Sequence, residues 1–360
     1  MNTSMKPSSY LAKSSTGKMR PKVRNVFISF LLVFALLLNL AVLYKKHFTQ
    51  CGSETCVPSR VRFSVDQYIH VAFFGKYTFK NMKIVRGMAN TFQSILENTQ
   101  HPIYLHVLID PNSKLRTSRT LRKVARSLRR GLNQVTFYDV NDMAEQNKAA
   151  ISLIRKYFFS KDVGRYKDDI FFLTEVFYDA FPKRLRKVIF LDVDLKFLSD
   201  IRLLHQEFDK FEPQNVLGIG PDLQPQYRID FAKYRNKNPG TSVGSPRPGN
   251  QGFNTGVVLF DLDRMRNSSL YKSLINDTAL DILCKKYQFE GYLGHQDFYT
   301  LTGMEYPELY YKLDCAWNRQ LDVGWRHEVS KELFEKYHQC DGEIHVIHAN
   351  GDSLLKDAKL

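Results

Sequence analysis

The chain contains, at residues 187–194, the run Lys187-Val188-Ile189-Phe190-Leu191-Asp192-Val193-Asp194. This run is too short for a buried helix and has the continuous apolar character of a central parallel strand. Side chains alternate across a strand, so Asp192 and Asp194 leave the same face while Val193 turns back into the protein. Ligands of open α/β sheets bind beyond the carboxyl ends of strands, and carboxylates suit Mg²⁺ or Mn²⁺. The run predicts a metal site at a strand tip, or else an acidic strand end without a metal.

Strand and helix patterns alternate around this run. Strands are predicted at Ile69–Phe74, Ile103–Ile109 and Val135–Val140. A helical pattern at Phe79–Glu97 follows the first strand, and the basic segment after the second strand predicts a second helix. Such alternation indicates βαβ units and an α/β fold with a parallel sheet. Further predicted elements are a helix at about 169–181, strands at 216–220 and 257–261, a functional loop at 236–252, and a closing strand that begins at Ile344.

The N-terminal region predicts a membrane anchor. Val26 to Tyr44 is almost wholly apolar, and a helix of that length spans about 28 Å, enough for a bilayer core. Basic residues precede it without an acid, which places the N-terminus in the cytosol. A cleaved signal peptide is the alternative, but the apolar stretch is long and starts late. The predicted parts are a cytosolic tail (1–25), a single-pass type II signal anchor (26–44), a lumenal stem (45–67) and a lumenal catalytic domain (68–360).

Charge narrows the classes of partner. The net charge is +15, and about half of it lies in the first 56 residues. The predicted topology argues against nucleic acid as a partner. The basic run Arg116 to Arg130 has helical spacing, which predicts a solvated helix face, or a surface for an acidic partner or a membrane.

Three other segments could meet the acidic strand end. Ile344-His345-Val346-Ile347-His348 ends in an imidazole, which could be a ligand or a packed histidine. Gly252-Phe253-Asn254-Thr255-Gly256 places an amide between glycines before a strand, where backbone can approach a ligand closely. Gly294-His295-Gln296-Asp297-Phe298 adds an amide and a carboxylate, although Asp297 could simply cap a helix.

Together these segments resemble glycosyltransferase family 8, whose members are retaining, metal-dependent enzymes that use nucleotide sugars. The likeness runs from about Tyr68 to Gly351, and its most specific stretch is Leu313-Asp314-Cys315-Ala316-Trp317-Asn318-Arg319-Gln320-Leu321. It implies the GT-A nucleotide-diphospho-sugar transferase fold with a mixed central sheet, here preceded by one transmembrane helix. That stretch resembles a member that transfers xylose from UDP-xylose. The product it implies is an α1,3 linkage on the xylosyl-glucose of epidermal-growth-factor-like (EGF-like) repeats.

The resemblance also implies a set of site residues. Asp192, Asp194 and His348 would hold Mn²⁺, with Mg²⁺ as the alternative, and Gln296 would stabilise positive charge on the sugar through its carbonyl oxygen. Asp168 could bind donor-sugar hydroxyls or cap a helix, and Asp297 could form a covalent intermediate or be structural. The residues expected to bind the donor are Phe74, Gly75, Lys76, Asp168, Val193, Asn254, Gln296 and Asn350. The residues expected to bind the acceptor are Tyr227, Phe253 and Trp325, whereas Trp317 is expected in the core.

The expected compartment bears on the state of the cysteines. The resemblance implies the endoplasmic reticulum membrane, with the Golgi as the second choice. In that oxidising lumen, Cys315 is expected to pair with Cys340 and Cys51 with Cys56, and Cys284 is expected to be a buried thiol. An oligomer formed through the span or stem is compatible with the sequence.

The sequence leaves three alternative functions. One is a family 8 transferase that uses UDP-glucose, and another is a non-catalytic lumenal glycan-binding protein. A metal-dependent phosphodiesterase is less favoured, because it would need a positioned water and a base for which no separate motif is present.

Overall fold

The computed structural model describes residues 67–130, 134–159, 168–351 and 353–355. The predicted tail, membrane span and stem, with the predicted Cys51–Cys56 pair, lie outside these residues. In the part of the chain that is described, no helix has the length and apolar character needed to cross a bilayer.

The strands of the described residues form two sheets. They are β1 Ile69–Phe74, β2 Ile103–Ile109, β3 Gln134–Asp139, β4 Lys187–Leu191, β5 Leu195–Phe197, β6 Leu217–Pro221, β7 Phe253–Asp261, β8 Tyr310–Lys312, β9 Arg319–Gln320 and β10 Val346–His348. The larger sheet has seven strands in the order β3-β2-β1-β4-β7-β6-β8, and the smaller has the order β5-β10-β9. Strands β1 to β4 pair in parallel, whereas β7 runs antiparallel to both of its neighbours. The predicted mixed α/β sheet is therefore confirmed.

Helices cover both faces of the larger sheet. Two apolar clusters, one on each face, form the core. The helices are α1 Met82–Asn98, α2 Pro111–Ser127, α3 Val140–Gln146, α4 Lys148–Phe158, α5 Phe177–Ala180, α6 Ile201–Gln206, α7 Gln226–Asp230, α8 Ala232–Lys237, α9 Leu262–Asn267, α10 Ser269–Leu274, α11 Asp277–Tyr287, α12 His295–Glu305 and α13 Lys331–His338.

Helix α1 fixes the turn that carries the two aspartates. The Asn81 side chain caps its first turn by accepting from the Lys83 N–H, and Met88 and Phe92 bury its inner face. The Thr91 hydroxyl lies within hydrogen-bond distance of the carbonyl oxygens of Val193 (3.0 Å) and Leu195 (2.9 Å). The backbone between β4 and β5 is thus held against a rigid helix.

Several predicted boundaries were wrong. The helix expected at 169–181 consists mainly of two 3₁₀ turns, Asp169–Phe172 and Thr174–Val176, followed by the short α5. Asp168 caps the first turn, and aromatic and β-branched residues are buried on several sides of this segment, which no single helical stripe allows. Helix α1 begins at Met82 because Asn81 caps it there. The closing strand begins at Val346 and belongs to the smaller sheet.

The cysteines were predicted in part. Cys315 and Cys340 form the expected disulfide. Trp317 is 4% exposed, as expected for a core residue. Cys284 is a free thiol on α11, but it is half-buried rather than buried, because this helix packs on the core with only one face.

Removal of the disulfide should lower stability. Replacing both cysteines, Cys315→Ser with Cys340→Ser, is expected to reduce the free energy of unfolding by about 2–4 kcal/mol, because the reduced chain gains conformational freedom when unfolded. Urea unfolding measures this change. The control is Cys284→Ser, which breaks no crosslink, and an equal loss in both variants would contradict the prediction.

Glu175 makes stability depend on pH. Its side chain is fully buried, and burial raises its pKa to about 8 even though the Thr174 hydroxyl donates to it. A pKa raised on folding means that the native state binds this proton more tightly than the unfolded chain does. The proton on Glu175 therefore stabilises the fold at low pH. This contribution to the free energy of unfolding declines above the unfolded pKa and is lost as the pH rises through about 8.

The free energy of unfolding of Glu175→Gln should therefore rise relative to that of the unmodified protein when the pH is raised from 5 to 9. Urea unfolding at both pH values measures this, with exposed Glu145→Gln as the control. A parallel pH dependence in Glu175→Gln and the unmodified protein would show that Glu175 does not titrate as described.

Candidate metal and donor site

Three predicted metal ligands converge at the end of strand β4. Asp192 and Asp194 occupy the turn between β4 and β5, and His348 ends β10. His348 Nε2 lies 3.3 Å from Asp194 Oδ1 and 3.6 Å from Asp192 Oδ2. The ligand atoms of the three side chains all lie within 4.8 Å of one another. The side chain of His348 is only 4% exposed, whereas those of Asp192 and Asp194 are 44% and 45% exposed, so the carboxylates open onto the pocket.

The main chain holds these residues in place. The Asp192 N–H donates to the Gly256 carbonyl (2.9 Å), which ties the turn to β7. The Ala349 N–H donates to the Asp194 carbonyl (3.0 Å), and His348 pairs with Leu195 across the smaller sheet. The metal cluster therefore depends on pairing between segments that are far apart in sequence.

A chain of amides fixes the tautomer of His348. The Gly256 N–H must donate, so the side-chain atom of Asn254 that it meets, at 3.0 Å, is Oδ1. Asn318 then presents Nδ2 to that oxygen (2.9 Å) and Oδ1 to His348 Nδ1 (2.9 Å). Nδ1 of a neutral His348 consequently carries the hydrogen, and the lone pair of Nε2 faces the two carboxylates. This is the arrangement expected of an imidazole that ligates a metal.

Gly256 is required by this packing. A Cβ atom at that position would lie 2.3 Å from His348 Cε1 and 2.4 Å from Nδ1. Because such distances are far below van der Waals contact, any side chain at residue 256 would displace the imidazole.

The charges of the cluster shift the pKa values of its members. Partial burial and then the charge of Asp194 raise the pKa of Asp192. Burial opposes the charged form of His348, but the two aspartates outweigh it and raise its pKa. Two carboxylates and one imidazole nitrogen whose ligand atoms lie within 4.8 Å of one another fit Mn²⁺ or Mg²⁺, and either cation would compete with protons for these groups.

The same pocket contains three of the predicted donor residues and one predicted acceptor residue, Trp325. Asn254, Gln296, Asn350 and Trp325 line it together with the three ligands. Gln296 Oε1 accepts from the Thr255 N–H (3.3 Å), which aligns the amide along β7. Asn350 Oδ1 accepts from the N–H groups of Leu321 and Asp322, so its amide hydrogens remain for a ligand.

A second group lies at the end of β1. Phe74 packs edge-on against Phe190, and the Gly75 N–H donates to the Leu108 carbonyl. Lys76 Nζ contacts Asp168 Oδ1 at 2.8 Å, in an ion pair whose two side chains are mostly buried.

Asp168 is held by its own neighbours. Its Oδ2 accepts from the Tyr77 hydroxyl, and its Oδ1 also accepts from the Ile170 N–H. Asp168 thus caps the 3₁₀ turn, the structural alternative, and also pairs with Lys76.

Two predicted acceptor contacts do not fit the structure, whereas the donor contact expected of the Val193 backbone stays a prediction. The Val193 carbonyl accepts a hydrogen bond from Thr91 on α1, which leaves its second lone pair. Tyr227, predicted to bind the acceptor, is fully buried, and its hydroxyl donates to Asp297 Oδ1 (2.9 Å). Phe253, predicted for the same role, is 4% exposed and packs on Tyr310. Burial leaves neither aromatic ring accessible to a sugar.

Asp297 has a structural environment. It is fully buried and accepts from the Tyr227 hydroxyl and from the Leu293 N–H. Burial and the charge of Asp230 raise its pKa to about 7. These contacts anchor the loop before α12 and favour the structural role for Asp297, although its side chain does not cap that helix.

Asn318 and the pocket acids Asp222 and Asp322 were missed by sequence reasoning. Asn318 lies within the stretch that carried the family resemblance, but nothing local to it indicates a contact with His348. The acids line the pocket beside the metal ligands, from loops without periodicity. The family resemblance of its stretch is the signal that could have drawn attention to Asn318. That stretch ends at Leu321 and contains neither acid.

The topology of the larger sheet and the Asp192–Asp194–His348 cluster at the end of β4 define an α/β protein of the GT-A type. A model of glycosyl transferase family 8 matches residues 39–353, and the chain belongs to that family.

Similar proteins include two curated relatives and a solved structure. The chain is 41% identical over 245 residues to mouse (Mus musculus) xyloside xylosyltransferase 1, a match covering 66% of this chain and 62% of the relative. It is 41% identical over 225 residues to the human (Homo sapiens) protein of that name, a match covering 62% of this chain and 57% of the relative. The match thus spans less than two thirds of either relative. A crystal structure of the mouse protein without ligand matches with a TM-score of 0.74 and 35% identity, covering 80% of this chain and 99% of that one.

Asn318→Ala should weaken metal binding. Without its oxygen, His348 Nδ1 loses the partner that orients the ring, and loss of such an outer contact typically costs about 10–100-fold in metal affinity. Titration with Mn²⁺ followed by electron paramagnetic resonance measures this.

Asn215→Ala is the matched control. Asn215 is also buried and bonded to backbone, through the Glu308 carbonyl and the Glu212 N–H, but it does not line the pocket. Unchanged Mn²⁺ affinity in Asn318→Ala would show that Asn318 does not position His348.

Proposed function

We propose that the chain is a retaining, metal-dependent glycosyltransferase that transfers xylose from UDP-xylose. The proposed acceptor is the xylosyl-glucose O-linked to EGF-like repeats, and the proposed product linkage is α1,3. The convergence of Asp192, Asp194 and His348 beside the amides of Asn254 and Gln296 carries the proposal. Likeness to the mouse and human xyloside xylosyltransferases supports the choice of xylose.

The three ligands would hold Mn²⁺, with Mg²⁺ as the alternative. The bound cation would offset negative charge on the leaving diphosphate. Lys76, at the end of β1, would add positive charge near the nucleotide, and its ion pair with Asp168 keeps the ammonium group in place. Gly75 would let the backbone at the end of β1 approach the base of the nucleotide. The Phe74 ring packs against Phe190 and supports that end of the strand.

The amides would bind and orient the sugar. Asn254 Oδ1 is occupied by Gly256 and Asn318, so its Nδ2 is the group left to donate to a sugar hydroxyl. Gln296 would direct the free lone pair of its carbonyl oxygen at positive charge on the sugar ring, because that oxygen already accepts from Thr255 with the other. Trp325 is half-buried in the pocket wall, where its ring could stack on an acceptor sugar.

Retention would not require a second carboxylate. A covalent route needs a nucleophile at the anomeric carbon, but Asp297 is buried and bonded to Tyr227 and Leu293. We therefore propose that the acceptor hydroxyl attacks from the face on which the diphosphate leaves. A phosphate oxygen of the leaving group takes the proton, and the amide of Gln296 acts only through charge.

The proposed setting is the membrane of the endoplasmic reticulum, with the Golgi as the second choice. A single type II span would place the described residues in the lumen, where the Cys315–Cys340 disulfide is chemically favoured. In this setting EGF-like repeats are accessible as acceptors and nucleic acids are not.

The test incubates the full-length protein with Mn²⁺ and an EGF-like repeat that carries xylosyl-glucose. UDP-xylose and UDP-glucose are supplied separately, and mass spectrometry reads the added mass. A pentose increment is expected with UDP-xylose. Asp194→Asn should reduce it by about 100-fold or more, because the carboxylate ligand becomes a neutral amide. Asp281→Asn is the control, because the Asp281 side chain is 44% exposed, close to the 45% of Asp194, but does not line the pocket.

Each other outcome has a defined meaning. A hexose increment would overturn the donor and favour the UDP-glucose reading, while leaving the metal site in place. Release of free sugar without transfer would favour a different acceptor. Absence of any reaction, with Mn²⁺ still bound, would favour the non-catalytic glycan-binding protein.

A further inference from the structure

Helix α2 carries an uncompensated positive charge. Within Pro111–Ser127 every charged side chain is Lys or Arg, and no Asp or Glu is present. Arg119, Arg122, Lys123 and Arg126 follow one another at helical spacing, where like charges repel. The ion pairs between described residues do not involve any cation of this helix. The repulsion therefore persists unless an anion from outside compensates it.

A groove with an apolar floor lies beside these charges. It runs between α2 and β3, with Lys114, Leu115 and Arg122 on the helix side and Val135 and Phe137 on the strand side. Leu115 is 61% exposed, and Lys114 Nζ lies 5.8 Å from the centre of the Phe137 ring. Apolar surface and positive charge thus occupy the same strip.

Strand β3 also offers its backbone. It stands at one end of the seven-stranded sheet, and among the described strands it pairs only with β2. All six of its residues are half-buried. The N–H and C=O groups along the outer side of an edge strand can pair with another extended chain. Val135 and Phe137 project from one face because they are two residues apart.

We propose that the groove between α2 and β3 binds an extended, acidic segment of a partner protein, which adds to β3 as a further strand. Its carboxylates would contact Lys114 and Arg122, and its apolar side chains on the same face would cover Val135 and Phe137. A membrane surface or an anionic polysaccharide would match the charge alone. Neither of them would use the apolar floor and the strand edge.

This site is separate from the candidate metal and donor site. Strands β2 and β1 lie between β3 and the β4 strand that precedes Asp192. Binding in the groove therefore requires neither a bound cation nor a nucleotide sugar, and it can be tested without the transfer reaction.

The test measures fluorescence anisotropy of a labelled short peptide of the repeat Glu-Ser-Val-Ser, titrated with the full-length protein in a neutral detergent. In an extended strand this repeat places Glu and Val in turn on the same face, as the proposal requires. Saturable binding that weakens as salt is added is expected. The double variant Lys114→Glu with Arg122→Glu should weaken it about tenfold, or about 1.4 kcal/mol, because two attractive pairs of exposed charges become repulsive. Lys237→Glu with Lys272→Glu, on other helices, is the matched control and should leave binding unchanged.

A second peptide with alternate backbone amides N-methylated separates strand addition from charge attraction. It keeps every carboxylate but loses N–H donors, and we expect weaker binding. Equal binding of the two peptides, equal losses in both double variants, or no saturation would overturn the proposal. So would binding of a heparin fragment or of phosphatidylserine vesicles to the groove in place of the peptide.

Discussion

The candidate site depends on one hydrogen-bonded circuit that passes through Gly256. Its N–H begins the series of contacts through Asn254 and Asn318 to His348, and its carbonyl accepts from the N–H of Asp192. The circuit joins the end of β4, the middle of β7, the turn before β9 and the end of β10. One tautomer of the imidazole and one position of the aspartate turn satisfy all these contacts together. Because the circuit is buried, any unpaired member would carry a desolvation cost, which favours a single arrangement.

Burial separates the residues that could take part in chemistry from those that support them. Asp297 and Tyr227 satisfy each other inside the protein, whereas Asp192 and Asp194 keep nearly half of their side-chain surface exposed. All nine residues of β7 are buried, so this strand can carry Asn254 into the pocket on a rigid support. A glycosyltransferase that works without a protein nucleophile needs such support, because its catalysis then relies on position and charge.

Much of the fold could be predicted because its signals are local. Strands β1 and β2 have the predicted bounds, since each is a short apolar run between polar turns. The segment at 169–181 was predicted as one helix because the alternation of strands and helices leads to a helix before the Asp192 strand. Its packing on several sides breaks it into 3₁₀ turns instead. The roles proposed for the site residues remain predictions, although the structure brings the three metal ligands together.

The amino-acid sequence was enough to predict the α/β class and the acidic end of the central strand, because periodicity and a contiguous motif carry both. The family and the Cys315–Cys340 pair were predicted from the resemblance of several segments to known members of that family. The folded chain was needed to show that Asn318 orients His348 and that Tyr227 is inaccessible to a sugar. Those outcomes depend on which distant strands pair and on how completely a side chain is covered, and neither quantity is encoded within a short stretch of residues.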